Sequence, residues 1–303
     1  MMSTRNVWII CGIIVTIAIY WPTRHARRYD YIDLKDVYKE LQFTNKLSHL
    51  RNCNYKDVIL NNSDVEISEP KNYFTPEHGG VHKPNHCNPL IKVAVIVPYR
   101  NRSLQLETFL NYMHNFLQKQ YLFYRIFIVN QVDSLPFNRA KMLNYGAKVA
   151  IDMDFPCLIL HDVDLLPLNS GNIYGCVSKP RHMSSSVDTF RFNLPYLTLF
   201  GGVVAISSQH FRKINGLSNH FYGWGGEDDD FYKRLTINDL SPCRFTPVLS
   251  RYTMLFHKKE KASPNRYDNM EKSAVLHKSD GLSTLPSNYS IKMEKLYTLI
   301  LAS

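Results

Sequence analysis

The sequence predicts an α/β protein, an open, twisted, mainly parallel sheet with helices on both faces. Two observations carry that expectation. From Lys92 onward, short β-branched runs alternate with stretches of helical period. Each run is followed at once by a polar cluster, the arrangement found at the ligand-binding edge of open sheets. A third observation concerns the N-terminus, where the apolar run Val7–Trp21 predicts a transmembrane signal-anchor ahead of the folded body.

The apolar run stops at Pro22 and the basic residues Arg24, Arg27 and Arg28, and no small-x-small cleavage site follows, so the anchor is expected to stay uncleaved. Basic residues after the span argue for a cytosolic body. Spaced cysteines and Asn-x-Ser sequons at Asn61, Asn101 and Asn288 argue for an oxidising lumen, and the lumenal orientation is preferred. Of the 6 cysteines, Cys11 lies in the apolar run and the remainder cannot all pair. The 303 residues suffice for one large domain or two small ones, and a net charge of +10 suits nucleic acid, an anionic membrane or a phosphorylated substrate. No nucleic-acid module is recognisable, so no nucleic-acid partner is expected.

Leu34, Val37, Tyr38 and Leu41 fall at helical spacing within a stem read as a spacer. Val93–Val97 reads as a buried parallel strand. Leu106, Phe109, Leu110, Met113, Phe116 and Leu117 mark a helical face with Ser103 as its N-cap. Ile126–Val129 is the second strand, Ala140–Ala150 the second helix and Cys157–Leu160 the third strand. The clusters Pro98-Tyr99-Arg100-Asn101-Arg102, Asn130-Gln131 and His161-Asp162-Val163-Asp164 follow the three strands, so they share the carboxyl edge. With no Gly-x-Gly-x-x-Gly or P-loop, an anion there falls to arginines and a metal. Asn101 lies in this ligand loop, and its sequon is expected to be bare.

Gly223-Trp224-Gly225-Gly226-Glu227-Asp228-Asp229-Asp230 is the densest chemical signal. Consecutive acids repel one another, and glycines around an aromatic suit a mobile loop that carries a stacking surface. Asp162-x-Asp164 places two carboxylates on one side of an extended segment, where one can bind a metal. Met254 and His257 are a second potential ligand pair.

Taken together, Pro98–Arg102, Phe137-Asn138-Arg139-Ala140, Asp162-Val163-Asp164, Phe200-Gly201-Gly202-Val203, the glycine–acid stretch and Met254-x-x-His257 resemble the β-1,4-galactosyltransferase family, glycosyltransferase family 7. The resemblance implies a GT-A-type fold and a Golgi single-pass type II membrane enzyme that uses Mn²⁺ and a UDP-sugar with inversion. It divides the chain into a cytosolic tail (1–6), a span (7–21), a stem (22–52) and a lumenal catalytic domain (53–303). Asp164, Met254 and His257 fall at the metal positions, Asp228 at the general base with Glu227 beside it in the catalytic set. Pro98, Tyr99, Arg100, Arg102, Phe137, Arg139, Asp162, Val163, Leu199, Gly202 and Trp224 fall at donor positions. Phe190, Tyr196, Asp228, Asp229, Arg266 and Tyr267 fall around the acceptor. The pairs Cys53–Cys87 and Cys157–Cys176 are implied, leaving Cys243 free. An ionised Asp228 is the useful base, so no great pKa shift is expected of it.

Galactose-transferring members usually carry Tyr where this chain has Leu199. Leu removes a hydroxyl that opposes an N-acetyl group, so UDP-GalNAc is the expected donor and a terminal β-GlcNAc glycan the acceptor, with UDP-Gal the alternative. The related enzyme that galactosylates xylose is a further alternative, because His161–Asn169 resembles that branch. A lectin-like sugar-binding protein is the non-enzyme reading, and a glycosidase is disfavoured by the arginine-rich crevice.

Overall fold

The computed structural model describes residues 4–26, 29–44, 49–67, 75–258 and 260–303. Helix α1 (Thr4–Ala26) carries the N-terminal apolar run. No helix among the described residues is long and apolar enough to cross a membrane, so the expected span over Val7–Trp21 is not shown there.

The next segment contains β1 (Tyr31–Ile32), α2 (Leu34–Glu40) and α3 (Tyr55–Leu60), and β2 (Val81–His82) precedes the first long strand. The body then runs β3 (Lys92–Tyr99), α4 (Ser103–Gln118), β4 (Phe123–Gln131), α5 (Arg139–Asp152), β5 (Cys157–His161), β6 (Leu165–Pro167), β7 (Arg181–His182) and β8 (Ser186–Val187). After β9 (Val203–Ser207) come α6 (Ser208–Lys213), α7 (Glu227–Ile237), β10 (Arg244–Phe245), β11 (Arg251–Met254), α8 (Arg266–Leu276), β12 (Ser290–Met293) and β13 (Thr298–Ala302).

The main sheet has the order β12-β13-β4-β3-β5-β9-β7, with β2 on β4. Its centre is parallel, from β13 through β4 and β3 to β5. Pairing turns antiparallel at β12, β9, β7 and β2, so the sheet is mixed where a mainly parallel one was expected. Sequence alternation reports the buried centre, while short outer strands carry too few residues to reveal direction.

Both faces are covered, as expected. Val93, Val95 and Val97 pack with Phe109, Met113 and Phe116 of α4 on one side. Ala94 and Ile96 pack with Met142, Leu143 and Ala147 of α5 on the other. Ser103 is the first helical residue and not the cap; Arg102 occupies the cap position without a side-chain bond, because a guanidinium has no acceptor to offer the free amides. Disulfides join Cys53 to Cys87 and Cys157 to Cys176, and Cys243 is buried and free.

Part of the stretch read as stem is packed into this body. β1 pairs in parallel with β10, Val37 is fully buried, and the Gln42 and Thr44 amides donate to the carbonyls of Cys176 and Leu90 at 2.9 and 2.7 Å.

Candidate active site

The crevice opens where β3, β4 and β5 end. Beyond Pro98 and Tyr99 the chain turns through Asn101, held at a left-handed φ of 52°, into α4. Arg100 reaches across to the next loop, donating to the Leu135 carbonyl at 2.6 Å with its guanidinium 5.3 Å from the Phe137 ring centre. Arg102 lies 3.6 Å from the Glu260 carboxylate. Gln131, closing β4, shapes that second loop by donating to Asp133 and accepting from the Asn138 amide, each at 2.7 Å. Asn138 caps α5 by accepting from the Lys141 amide, and this sets Arg139 on the first turn facing β5.

Arg139 is the hub of the crevice. Its Nε donates to Asp162 Oδ1 at 2.6 Å, its Nη2 reaches the Gly202 carbonyl at 3.4 Å, and its Nη1 lies 3.8 Å from Glu227 Oε1. Burial alone would lower its pKa, and the charges of Asp162 and Glu227 more than reverse that, so the cation is permanent. The Asp162 amide donates to Gly202, Val163 is buried at 7 % exposure, and Asp164 turns toward β11.

The short sheet β6-β11-β8 delivers the next group. Leu165 pairs with Met254, the Leu255 amide donates to the Asp164 carbonyl at 2.7 Å, and His257 Nδ1 stands 3.1 Å from Asp164 Oδ2. Asp164, Met254 and His257 are thus brought together. Asp188 fixes the strand end, taking the Thr253 hydroxyl and the Met254 amide. Burial, then the neighbouring Asp162, pushes the Asp164 carboxyl up to about 6, a strain that a bound cation would relieve. Carboxylate oxygen and imidazole nitrogen suit a borderline divalent ion, and the thioether is a softer third donor. No cluster of three His, Cys, Asp or Glu able to hold a metal occurs among the described residues.

On the far wall, Gly225 and Gly226 hold φ of 101° and 96° and swing the chain into α7, whose first turn is the acidic run. The four acids diverge. Glu227 turns to Arg139, with its Oε2 buried and unbonded among the described residues. Asp228 lies on Gly201, where an added Cβ would fall 2.8 Å from Asp228 Oδ2. Asp229 hydrogen-bonds the Tyr196 hydroxyl. Asp230 turns into the core to meet Arg234 at 2.9 Å, with side-chain exposures of 2 % and 1 %.

Burial, then Asp228, pushes Glu227 up to about 7, and burial, then Asp229, raises Asp228. Adjacent acids in a crevice disfavour one another's ionised forms, so the base position is raised where no great shift was expected of it. Trp224 stands half-exposed on its loop, its carbonyl accepting from the Ser263 amide at 2.9 Å, while the Gly223 amide donates to the Phe137 carbonyl at 2.9 Å. Arg266 packs beside Gly225 and Gly226 and donates to the Tyr267 hydroxyl at 2.8 Å. Phe190 and Tyr196 are exposed on the segment leading to Leu199 and Gly202. Asp188 and Glu260 were missed by sequence reasoning, since no local spacing links them to Thr253 or Arg102.

Two family models match the chain: the N-terminal region of glycosyl transferase group 7 over residues 49–177 and the N-terminal domain of galactosyltransferase over residues 181–258. β-1,4-Galactosyltransferase 1 of Bos taurus is 45 % identical over 226 residues, covering 73 % of this chain and 56 % of that protein. Its Homo sapiens counterpart is 43 % identical, covering 73 % and 57 %. The matched region thus spans little more than half the length of these relatives. Among solved structures, the catalytic domain of Drosophila β-1,4-galactosyltransferase 7 in complex with xylobiose matches with a TM-score of 0.60 at 28 % identity, over 70 % of this chain and 94 % of that one. A mutant of that enzyme in complex with manganese, UDP-Gal and xylobiose matches equally. The fold is GT-A-like, with a mixed sheet between helices. On these grounds the chain belongs to glycosyltransferase group 7, the family of the β-1,4-galactosyltransferases.

Proposed function

We propose that this chain is an inverting β-1,4-hexosyltransferase that moves GalNAc from UDP-GalNAc to the 4-hydroxyl of terminal β-GlcNAc on glycoprotein or glycolipid glycans. The observation that carries the reading is the position of Arg139, which joins Asp162, two residues from the Asp164–His257 pair, to Glu227 on the acidic turn. Family relatives named as β-1,4-galactosyltransferases support the reaction class.

Asp164, Met254 and His257 would hold Mn²⁺, as expected from the neighbour solved with manganese and UDP-Gal, and the ion's chemistry there is charge neutralisation on the diphosphate leaving group. Arg100, Arg102 and Arg139 supply further positive charge at the carboxyl edge, and Phe137 with Tyr99, Pro98 and Val163 shapes the donor bed. Ionised Asp228 takes the proton of the acceptor 4-hydroxyl; that oxygen bonds to the donor's anomeric carbon as the bond to the diphosphate breaks, and UDP leaves with the electron pair. Trp224, on its glycine loop, covers the donor and excludes water, so that sugar rather than solvent is the nucleophile. Tyr196, Asp229, Phe190, Arg266 and Tyr267 border the acceptor.

Leu199 supports the GalNAc donor through the space left by an absent tyrosine hydroxyl. The second reading, UDP-Gal as donor to GlcNAc or xylose, is favoured by the neighbour complexed with UDP-Gal and xylobiose. A donor-by-acceptor activity matrix decides between them. On the GalNAc reading Leu199→Tyr shifts the UDP-GalNAc to UDP-Gal ratio of kcat/KM toward galactose by about 10- to 100-fold. An unchanged ratio removes it. We place the catalytic body in the lumen of the Golgi, at its membrane; the disulfides support an oxidising compartment. Protease protection in intact vesicles tests this, and a digested catalytic body would contradict it.

A further inference from the structure

We propose that Arg244 is a positioning residue for the segment Leu194–Leu199, and that Tyr29 and strand β1 hold Arg244 in place, so the N-terminal segment tunes sugar selectivity. The proposal rests on the transferase reading only for the meaning of Tyr196 and Leu199.

Arg244 is fully buried yet meets no carboxylate among the described residues. Its Nη2 donates to the carbonyls of Leu197 and Leu199 at 3.1 and 2.7 Å, and its Nε to His182 Nδ1 at 3.0 Å. Its Nη1 has no hydrogen-bond partner among the described residues. Burial, then the charge of Arg244, holds His182 well below its ordinary pKa, which leaves the neutral ring to accept from Arg244 and to bond the Gly201 backbone on its other side. The guanidinium lies 4.0 Å from the Tyr29 ring centre, and Tyr29 donates to the Pro242 carbonyl at 3.3 Å. Tyr31 pairs with Arg244 itself in the β1–β10 ladder.

A buried guanidinium without a counter-ion is costly, so two carbonyls, an imidazole and an aromatic plate are the groups that keep it in place. The segment it holds has few other ties. From Leu194 to Leu199 the bonds to other elements among the described residues are the two from Arg244 and the Tyr196–Asp229 bond. Just before it, Arg191 and Phe192 sit at left-handed φ of 53° and 58°, a turn with no helix or strand to stiffen residues 194–199. Arg244 therefore fixes the wall that carries Tyr196 and Leu199, and through His182 it touches Gly201, on which Asp228 rests.

The test uses the full chain and the variants Arg244→Met, Arg244→Lys and Tyr29→Leu. In Arg244→Met, amide hydrogen exchange over 194–199 is expected to quicken about tenfold or more, and KM for a GlcNAc acceptor to rise about tenfold with kcat changed less than about twofold. Arg244→Lys keeps the charge and loses the fork, so it recovers part of both. Tyr29→Leu removes the aromatic plate and its hydroxyl's bond to Arg244 but leaves the bonds to Leu197, Leu199 and His182 available, and it moves the same exchange in the same direction. Wild-type exchange over 194–199 in folded Arg244→Met overturns the proposal, as does a shift in KM without a change in exchange. If Arg244→Met does not fold, unchanged exchange in both other variants overturns it. A wild-type chain that transfers no sugar would defeat the transferase reading while the exchange result still decides this one.

Discussion

Gly201 shows how much one hydrogen can decide. Its φ is unremarkable, so alanine costs nothing in the backbone, yet the new methyl would displace the Asp228 carboxylate. Gly201→Ala is expected to lower kcat by about 100-fold with Tm nearly unchanged, checked by steady-state kinetics beside thermal melting. Glu227 predicts a pH signature. Its folded pKa of about 7 lies above the ordinary 4.5, so between those values the folded chain keeps a proton the unfolded chain gives up. Its contribution to stability is present below the lower value and lost as pH rises through the upper one. Glu227→Gln removes that loss, and melting curves should show Tm rising relative to wild type at pH 8 and little difference at pH 4.5.

At the scale of elements, the first turn of α7 divides its work between chemistry and anchorage. Asp230 and Arg234 are an almost fully buried pair that reaches on to Asp280 at 3.3 Å, tying α7 to the end of α8's segment. Asp230→Asn should cost about 1–3 kcal/mol by denaturant unfolding because Arg234 loses one of its two carboxylates and keeps Asp280, whereas the half-buried Asp229→Asn should leave stability nearly intact. The disulfides act on loops of different length: with partners separated by 34 and 19 in sequence, removing Cys53–Cys87 and Cys157–Cys176 should cost about 4 and 3 kcal/mol. The strands Lys92–Tyr99 and Cys157–His161 and both flanking helices were legible in the sequence because their apolar periods are long and clean. The two-residue strands β1, β7, β8 and β10 were not, since a pair of residues has no period and their partners lie far along the chain. The site was legible as motifs; the ties between them were not. Nothing local says that Asp188 steadies Met254 or that the four acids part ways, because both depend on tertiary packing.

For the whole molecule, the boundary of the folded body lies earlier than composition suggested. Val37 and Leu41 sit in the same core as Tyr55, Ile91 and Phe245, so deleting residues 1–44 should lower Tm by about 5 °C or more in a thermal melt. The two regions matched by the family models are likewise no separate domains. β9 and β7, from the second region, complete the sheet on the β5 edge that belongs to the first. Cut between Val177 and Arg181, the first piece would be left with a naked rim, apolar from Cys157 to Leu160 and open to aggregation. Chimaeras that swap one half for a relative's should therefore fail unless the breakpoint keeps β5 with its own β9, and the heredity of this chain is indivisible across that seam.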